Sequence, residues 1–230
     1  MSSFNLIVLG DGSVGKSSII EAFRNEGFMP IYKQTVGCDF YEKHLKLRGD
    51  EYVSLRVWDI GGQSIHSKNL EQYISSSNAI FLVYDVTNIE SFRNLEDWLV
   101  MVRKYSSARH IYLVGNKVDL IAIRQVDKAA HDKFVEENGF KGGLFMSAKT
   151  GENVVKTFYK VAGEAIGVSL SAYELAFHDK VISANVAATG DGESRTTFAD
   201  EIEAEDRKAE EQKMKMKQQP NNILCQCSIS

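Results

Sequence analysis

The segment Leu6-Ile-Val-Leu-Gly-Asp-Gly-Ser-Val-Gly-Lys-Ser17 joins a run of four apolar residues to a glycine-rich loop that ends in Lys-Ser. A continuous apolar run is typical of a parallel strand that is buried on both faces. Ile19, Ile20 and Phe23 then recur at helical spacing, which predicts a helix over about residues 16–25. Because the loop has the pattern G-x-x-x-x-G-K-S between a strand and a helix, it predicts a P-loop that binds a nucleoside triphosphate.

Each part of this loop has a chemical role. Gly10 and Gly15 bracket a concave path whose backbone N–H groups face phosphate oxygens, and a Cβ would crowd it. Lys16 supplies a positive charge to the β- and γ-phosphates, and Ser17 offers a hydroxyl to Mg²⁺. The predicted nucleotide contacts in the loop are Gly12, Ser13, Val14, Gly15, Lys16, Ser17 and Ser18. A glycine-rich turn that matches by accident is the alternative, and the strand–loop–helix context counts against it.

Composition limits the classes of protein. The chain has 230 residues, 43% of them apolar, which is enough for one sizeable core; length alone would allow one or two domains. A net charge of −4 argues against a nucleic-acid-binding domain. Three cysteines without metal-ligand spacing predict neither a disulfide framework nor secretion. The longest apolar run, Ala79 to Tyr84, is too short to span a bilayer, and we expect a cytoplasmic protein.

The remaining pattern predicts an α/β fold of the P-loop NTPase class with six strands. Apolar runs at Ala79–Tyr84 and Ile111–Val114 predict further central parallel strands. Segments on both sides of Arg48-Gly-Asp-Glu51 predict a hairpin, so the sheet is expected to be mixed but mostly parallel. Amphipathic patterns at 91–104 and 152–167 predict helices that pack on the sheet. We place a nucleotide-binding domain at residues 1–175 and a flexible tail at residues 176–230.

A second motif, Trp58-Asp-Ile-Gly-Gly-Gln63, ends the strand that follows the hairpin. Asp59 at the carboxyl end of a strand is a candidate partner of Mg²⁺, usually through water. Gly62 can approach a γ-phosphate and donate its N–H, and Gln63 can orient a water for in-line attack. The predicted catalytic residues are therefore Lys16, Gly62 and Gln63. Alone, the motif would fit an ordinary strand-ending turn, but the P-loop makes the functional interpretation stronger.

A third set of residues selects the base. Asn116-Lys-Val-Asp119 follows a buried strand, and the Asp119 carboxylate can accept two hydrogen bonds from guanine that adenine cannot donate. The side chain of Asn116 can reach the base edge and tie this segment to the P-loop, and the stem of Lys117 can lie along the ring. Ser147-Ala-Lys149 adds the Ala148 N–H, which is placed to bond the guanine O6. The sequence therefore predicts binding of GTP and GDP.

In this order, the motifs resemble those of the Ras-type small GTPases over residues 4 to about 167. Val36-Gly-Cys-Asp-Phe40 and Leu55-Arg-Val-Trp-Asp59 look like a divergent member of the Rab family. The resemblance implies that Thr35 closes on Mg²⁺ and the γ-phosphate, and that Phe28 and Tyr32 contact the nucleotide. It further implies effector proteins, an exchange factor and a GTPase-activating protein as partners. The residues that it gives to the effector surface are Phe40, Trp58 and Tyr73.

Two departures from the family pattern carry predictions. Most Rab sequences have Thr-Ala-Gly-Gln where this chain has Ile60-Gly-Gly-Gln63, and the extra glycine is expected to loosen this segment. An arginine that stabilises the transition state is worth about 10³–10⁵ in rate, and the chain has no arginine between Pro30 and Cys38. We expect slow intrinsic hydrolysis of GTP that a partner protein accelerates.

The C-terminal residues predict a lipid anchor on the cytosolic face of membranes. Cys227-Ser-Ile-Ser230 fits a C-a-a-X box, in which a final Ser favours farnesyl transfer. Cys225-Gln-Cys227 also fits the Cys-x-Cys ending of Rab proteins, so Cys225 is a second candidate for modification. One lipid gives marginal affinity, and Lys213, Lys215 and Lys217 could supply the second signal. A prenyl-binding chaperone follows as a partner; an unmodified tail and a merely solvated charge run are the alternatives.

The sequence leaves two other functions open. A scaffold that binds GTP but scarcely hydrolyses it would fit the unusual Ile60–Gln63 segment, although Ser17, Thr35 and Gln63 count against it. A P-loop metabolic kinase would need an arginine-rich lid or an acceptor domain, and the sequence offers neither.

Overall fold

Six strands form one mixed sheet at the centre of the described residues, which are 2–24, 35–67 and 69–177 of a computed structural model. The strands are β1 Ser2–Leu9, β2 Cys38–Lys46, β3 Tyr52–Ile60, β4 Ala79–Asp85, β5 His110–Asn116 and β6 Gly142–Phe145. Their order in the sheet is β2-β3-β1-β4-β5-β6, with only β2 antiparallel to its neighbour. The predicted mixed, mostly parallel α/β sheet is therefore confirmed.

Helices cover both faces of the sheet. They are α1 Lys16–Arg24, α2 Leu70–Ser75, α3 Ile89–Arg93, α4 Leu95–Tyr105, α5 Lys128–Asn138 and α6 Val154–Ala165. One core lies between the sheet and the α1–α6 pair, where Phe23 stacks on Phe158 at 4.0 Å. The other core lies under α2 to α5 and contains the buried Trp98 and Tyr84. Burial on both faces explains why β4 reads as an unbroken apolar run.

The helix predicted over residues 91–104 is divided in the structure. Asn94 ends α3 and begins α4, and it keeps a helical backbone with φ −66° and ψ −9°. The apolar spacing therefore continues across the break, which is why periodicity alone gives a single helix. The chain beyond α6 adds a short helical segment over residues 172–177. No helix within the described ranges is long and apolar enough to cross a membrane.

A bidentate ion pair joins this last segment to the β2–β3 hairpin. Arg48 donates from Nε and Nη2 to the two carboxylate oxygens of Glu174, both at 2.6 Å. The same carboxylate accepts from the N–H and hydroxyl of Ser171, each at 2.7 Å, and Ser171 in turn accepts from the Glu174 N–H. This reciprocal pair is a capping box at the start of the segment. The hairpin turn thus holds the beginning of residues 172–177.

Arg48→Ala is expected to loosen residues 172–177 locally without unfolding the sheet, because both partners are at the surface. Chymotrypsin should then cleave after the exposed Tyr173 several times faster than in the parent protein. Arg93→Ala is the matched control, since it removes a surface ion pair with Glu90 on α3. Equal cleavage of the two variants would show that the Arg48–Glu174 pair does not hold the segment.

A buried histidine makes stability depend on pH. His131 on α5 is fully buried; its Nδ1 lies 3.0 Å from the Tyr84 hydroxyl, and its Nε2 has no partner among the described residues. Burial lowers the pKa of His131 from 6.5 to about 4, with Asp132 opposing the shift and Lys128 and Arg124 adding to it. Gly143 leaves room for the ring, because a Cβ there would lie 2.3 Å from Nε2.

The free energy of unfolding is expected to fall by about 2 kcal/mol between pH 7.5 and pH 5. The unfolded chain takes up the proton near pH 6.5, whereas the folded chain resists it until about pH 4. The contribution of neutral His131 to the free energy of unfolding is thus fully present above pH 6.5, and it is lost as the pH falls toward 4. Urea unfolding at both pH values measures the change. His131→Phe should flatten the pH dependence even if it lowers stability at pH 7.5, and an unchanged slope would contradict the assignment.

Candidate functional site

The glycine-rich loop after β1 has the backbone path that its sequence predicts. Gly10 has φ +136°, and a Cβ there would lie 2.1 Å from the carbonyl oxygen of Val83 in β4. Gly15 has φ +95°, and its Cβ would lie 2.3 Å from Nδ2 of Asn116. Side chains are therefore excluded at both positions by neighbouring atoms and by backbone strain. Between them, Ser13 also has a positive φ of 63°, and Val14 is buried in the core.

Lys16 is the first residue of α1 and is 5% exposed. Its ammonium donates to the carbonyl oxygens of Gly10 at 2.8 Å and Asp11 at 2.7 Å, so the loop folds around the charge. Burial lowers the pKa of Lys16 to about 8, while Asp59 and Asp11 oppose the shift. A phosphate group beside this ammonium would favour its charged form. The two carbonyls thus hold the Lys16 ammonium in a position where it can bind an anion.

Three oxygen-bearing side chains meet next to this lysine. The Ser17 hydroxyl lies 2.8 Å from that of Thr35 and 2.5 Å from Oδ2 of Asp59. The other carboxylate oxygen of Asp59 is buried and has no hydrogen-bond partner among the described residues. Burial raises the pKa of Asp59, while hydrogen bonding from Ser17 and the charge of Lys16 oppose the shift.

This oxygen set suits a hard divalent cation. Mg²⁺ prefers oxygen ligands and is usually held by one or two protein groups together with phosphate and water. The unpaired Asp59 oxygen and the two hydroxyls fit that requirement. Residues 2–24, 35–67 and 69–177 contain no group of three or more His, Cys, Asp and Glu side chains that could hold a metal by themselves. The two hydroxyls, with Asp59 beside them and a bound phosphate, would supply oxygen ligands to a cation here.

Two adjacent glycines bring the chain after β3 against the loop and against Thr35. A Cβ on Gly62 would lie 2.1 Å from the Gly12 nitrogen and 2.4 Å from the Asp11 carbonyl carbon. A Cβ on Gly61 would lie 2.4 Å from the carbonyl oxygen of Thr35, and the Gly61 N–H donates to the Gly37 oxygen at 2.9 Å. The extra glycine, expected only to loosen this segment, thus also permits a close backbone contact. Gln63 follows in the same turn and is exposed.

Asn116 connects the two ends of the site at the carboxyl end of β5. It is 1% exposed; its Nδ2 donates to the Val14 oxygen at 2.8 Å, and its Oδ1 accepts from the Ala148 N–H at 3.1 Å. The predicted tie between this segment and the P-loop is present. The Ala148 N–H, predicted to bond the guanine O6, already has the Asn116 oxygen as a partner in this structure.

The neighbouring charged residues form a second connection. The Asp119 carboxylate accepts from the buried Ser147 hydroxyl at 2.6 Å, which orients it. Lys117 has φ +66° and donates to the Ser13 oxygen at 2.9 Å, and its ammonium lies 2.6 Å from Oδ2 of Asp85. Asp85 was not singled out from the sequence. The available signal was its place at the end of β4, where parallel strands present functional side chains.

Three aromatic rings form a row from the β2–β3 pair to α2. Phe40 lies 4.7 Å from Trp58, and Trp58 lies 5.3 Å from Tyr73 between ring centroids. Phe40 is 50% exposed, whereas Trp58 and Tyr73 are half-buried and pack against the core under α2 to α5. The structure therefore brings together the three residues that the family resemblance assigns to an effector surface.

The other predicted site residues are distributed as follows. Gly12 and Lys149 are exposed near the site, and Ser18 lies half-buried in the first turn of α1. Phe28, Tyr32, Cys225 and Cys227 lie outside the described residues, as do the lysines at 213, 215 and 217.

Comparisons with known proteins agree with this geometry. The Ras family model matches residues 5–167. The chain is 39% identical to the Ras-related protein Rab-28 of Caenorhabditis elegans over 79% of its own length and 74% of the relative's. It is 36% identical to human Ras-related protein Rab-30 over 69% of its length and 78% of that protein. It is 35% identical to mouse Ras-related protein Rab-12 over 70% of its length and 66% of that protein.

Proposed function

Because the chain belongs to the Ras family and, within it, to the Rab small GTPases, we propose that it is a GTP-dependent switch that recruits partner proteins in membrane trafficking. It is a GTP-hydrolysing enzyme, and in our proposal its intrinsic rate is slow. The hydrogen-bonded cluster of Ser17, Thr35 and Asp59 carries the proposal. These residues come from three separate segments, and all three would lie at one Mg²⁺ ion and its bound phosphate.

The geometry of the site supports the nucleotide contacts that we propose. The loop from Gly12 to Ser18 would hold the phosphates, and the Lys16 ammonium would face the β- and γ-phosphates. Ser17 and Thr35 would hold Mg²⁺, with Asp59 nearby, and the ion when bound would neutralise phosphate charge. Asp119 would bond the guanine edge, supported by Ser147. Lys117, Ala148 and Lys149 would complete the base pocket.

The slow intrinsic hydrolysis that we propose is supported by the residue types expected near the γ-phosphate. Gly62 could donate its N–H to that phosphate, and the exposed Gln63 could orient the attacking water. Lys33 precedes Thr35 by two residues and lacks the planar fork of arginine. Single-turnover assays on the purified protein are expected to give about 10⁻³ s⁻¹ or less, and a GTPase-activating protein in cell extract should raise the rate. Turnover within seconds by the purified chain would contradict this.

Partner recognition and membrane attachment belong to the same proposal. The row of Phe40, Trp58 and Tyr73, in which Phe40 is 50% exposed, would offer effectors an aromatic surface. A prenyl group on Cys227, with Cys225 or the neighbouring lysines as a second signal, would attach the protein to membranes from the cytosolic side. A prenyl-binding chaperone and an exchange factor complete the set of expected partners.

A paired capture experiment tests the switch. Gln63→Leu is expected to stay GTP-bound, and Ser17→Asn, which loses the hydroxyl beside Thr35 and Asp59, is expected to favour GDP. Proteins captured from cell extract by the first variant but not by the second would be state-dependent partners. Bound nucleotide is measured in both samples. If the two variants carry different nucleotides yet capture the same proteins, the switch proposal fails.

A further inference from the structure

The phosphate-binding loop of this chain contains an acidic residue whose side chain is turned away from the loop. The Asp11 carboxylate accepts from Nδ2 of Asn94 at 2.7 Å and from Nε1 of Trp98 at 2.9 Å. Trp98 is 1% exposed, so its N–H has little access to water and needs an acceptor inside the protein. The two donors lie one helical turn apart at the start of α4. Asn94 donates to Oδ2 of Asp11, and Trp98 donates to Oδ1.

An acid at this position is a problem for an anion-binding loop. The backbone N–H groups and Lys16 attract phosphate, whereas a free carboxylate one residue from Gly12 would repel it. Two like charges a few ångströms apart repel each other more strongly the less water lies between them. Charge-assisted hydrogen bonds from Asn94 and Trp98 reduce this repulsion, because they fix the carboxylate on the α4 side of the loop.

The main chain of the same residue serves the site directly. The Asp11 carbonyl accepts from the Lys16 ammonium at 2.7 Å. The Asp11–Gly12 peptide is also in close backbone contact with Gly62. Asp11 is thus contacted by Lys16 and Gly62 through its backbone and by α4 through its side chain. A change in its side-chain contacts would therefore reach both the lysine and the segment that follows β3.

We propose that Asn94 and Trp98 are positioning residues, which hold the Asp11 carboxylate away from bound phosphates and keep the Asp11 carbonyl on Lys16. This inference rests on the proposed binding of guanine nucleotides. It explains how the loop contains an acid and still binds a triphosphate. It also makes α4 a support of the nucleotide site, although none of its residues belongs to a nucleotide-binding motif.

The test measures dissociation of a fluorescent GDP analogue from the full chain. Asn94→Ala with Trp98→Phe removes both donors and keeps an aromatic ring at the buried position. It is expected to release nucleotide about tenfold faster, as for the loss of one to two net hydrogen bonds. The difference should shrink at high salt, because released carboxylate and phosphate repel each other through charge. Val100→Ala is the control, since Val100 lies on the exposed face of α4.

Rescue by a third substitution separates charge repulsion from simple packing. Asp11→Asn keeps an amide oxygen at this position but removes the negative charge. In this background the Asn94→Ala and Trp98→Phe changes are expected to alter dissociation less than threefold. If they still cause the full tenfold effect, or if they cause none with Asp11 present, the inference is wrong.

Two further measurements keep the outcomes distinct. Asn94 is exposed, so Asn94→Ala alone should fold and show part of the effect if the variant with both changes does not fold. Failure of the parent protein to bind the GDP analogue would instead overturn the proposed function.

Discussion

Asp119→Asn is expected to lower the affinity for GDP and GTP by about 10²–10⁴, which corresponds to two charge-assisted hydrogen bonds. The carboxylate of Asp119 can accept from both guanine donors, the N1–H and the exocyclic amine. The Ser147 hydroxyl holds one carboxylate oxygen at 2.6 Å, so the side chain is already oriented for the base. In the variant, Ser147 can still donate to the amide oxygen, which leaves the amide NH₂ facing guanine donors.

The same change should reverse the preference between bases. Xanthine has an oxygen where guanine has its exocyclic amine, and that oxygen can accept from the introduced NH₂. Competition between GDP and xanthosine diphosphate for a fluorescent nucleotide measures both effects.

Ser147→Ala and Asp127→Asn are the controls for this substitution. Ser147→Ala removes only the orienting bond and should cost about tenfold, whereas Asp127→Asn changes a helix cap of α5 and should leave base preference unchanged. If Asp119→Asn keeps GDP affinity within threefold, the guanine assignment is wrong.

The parts of the site that the sequence predicts are those encoded over short stretches. Gly10, Gly15 and Lys16 are fixed by one loop, and the structure explains them by contacts with Val83 and Asn116 and by carbonyls within the loop. The carboxyl ends of parallel strands lie at the same edge of a sheet. The motifs that follow β1, β3 and β5 are therefore expected to lie together at that edge. Spacing and topology together were enough for these residues.

Contacts between distant residues could not be predicted in this way. The bonds from Asp11 to Trp98 and from Lys117 to Asp85 join side chains that no local motif connects. Helix α5 also escaped prediction, because His131 is its only fully buried residue and its apolar periodicity is weak. Its ends did carry signals, namely Asp127 as an N-cap and Gly139 with φ +64° as a C-cap.

The two glycines after β3 have separate roles, although they are adjacent. Gly61 allows close contact with the Thr35 carbonyl, and Gly62 allows close contact with the Asp11–Gly12 backbone. Because the two glycines contact different segments, a side chain at Gly61 would displace Thr35, and a side chain at Gly62 would displace the P-loop contact. Substitution of Gly61 therefore tests the role of Thr35, and substitution of Gly62 tests the contact with the P-loop.

Gly62→Ala is expected to reduce GTP hydrolysis by about 10²–10³, the cost of losing one preorganised backbone donor near the reacting group. The added methyl would lie 2.1–2.6 Å from three backbone atoms of Asp11 and Gly12, which cannot move aside like a flexible side chain. The segment must then swing away from the loop and carry its N–H out of reach of the γ-phosphate. Single-turnover hydrolysis in the presence of cell extract measures this loss.

Affinity for GDP should change less than threefold in Gly62→Ala, because Asp119, Asn116 and Lys16 are untouched and GDP has no γ-phosphate. Gly142→Ala is the matched control: its added methyl would lie 3.8 Å from Tyr112, an ordinary contact distance, and hydrolysis should be unaffected. Gly61→Ala should mainly weaken GTP-dependent capture of partners through Thr35. Hydrolysis at the parent rate in Gly62→Ala would mean that this backbone does not take part in closing the site around GTP.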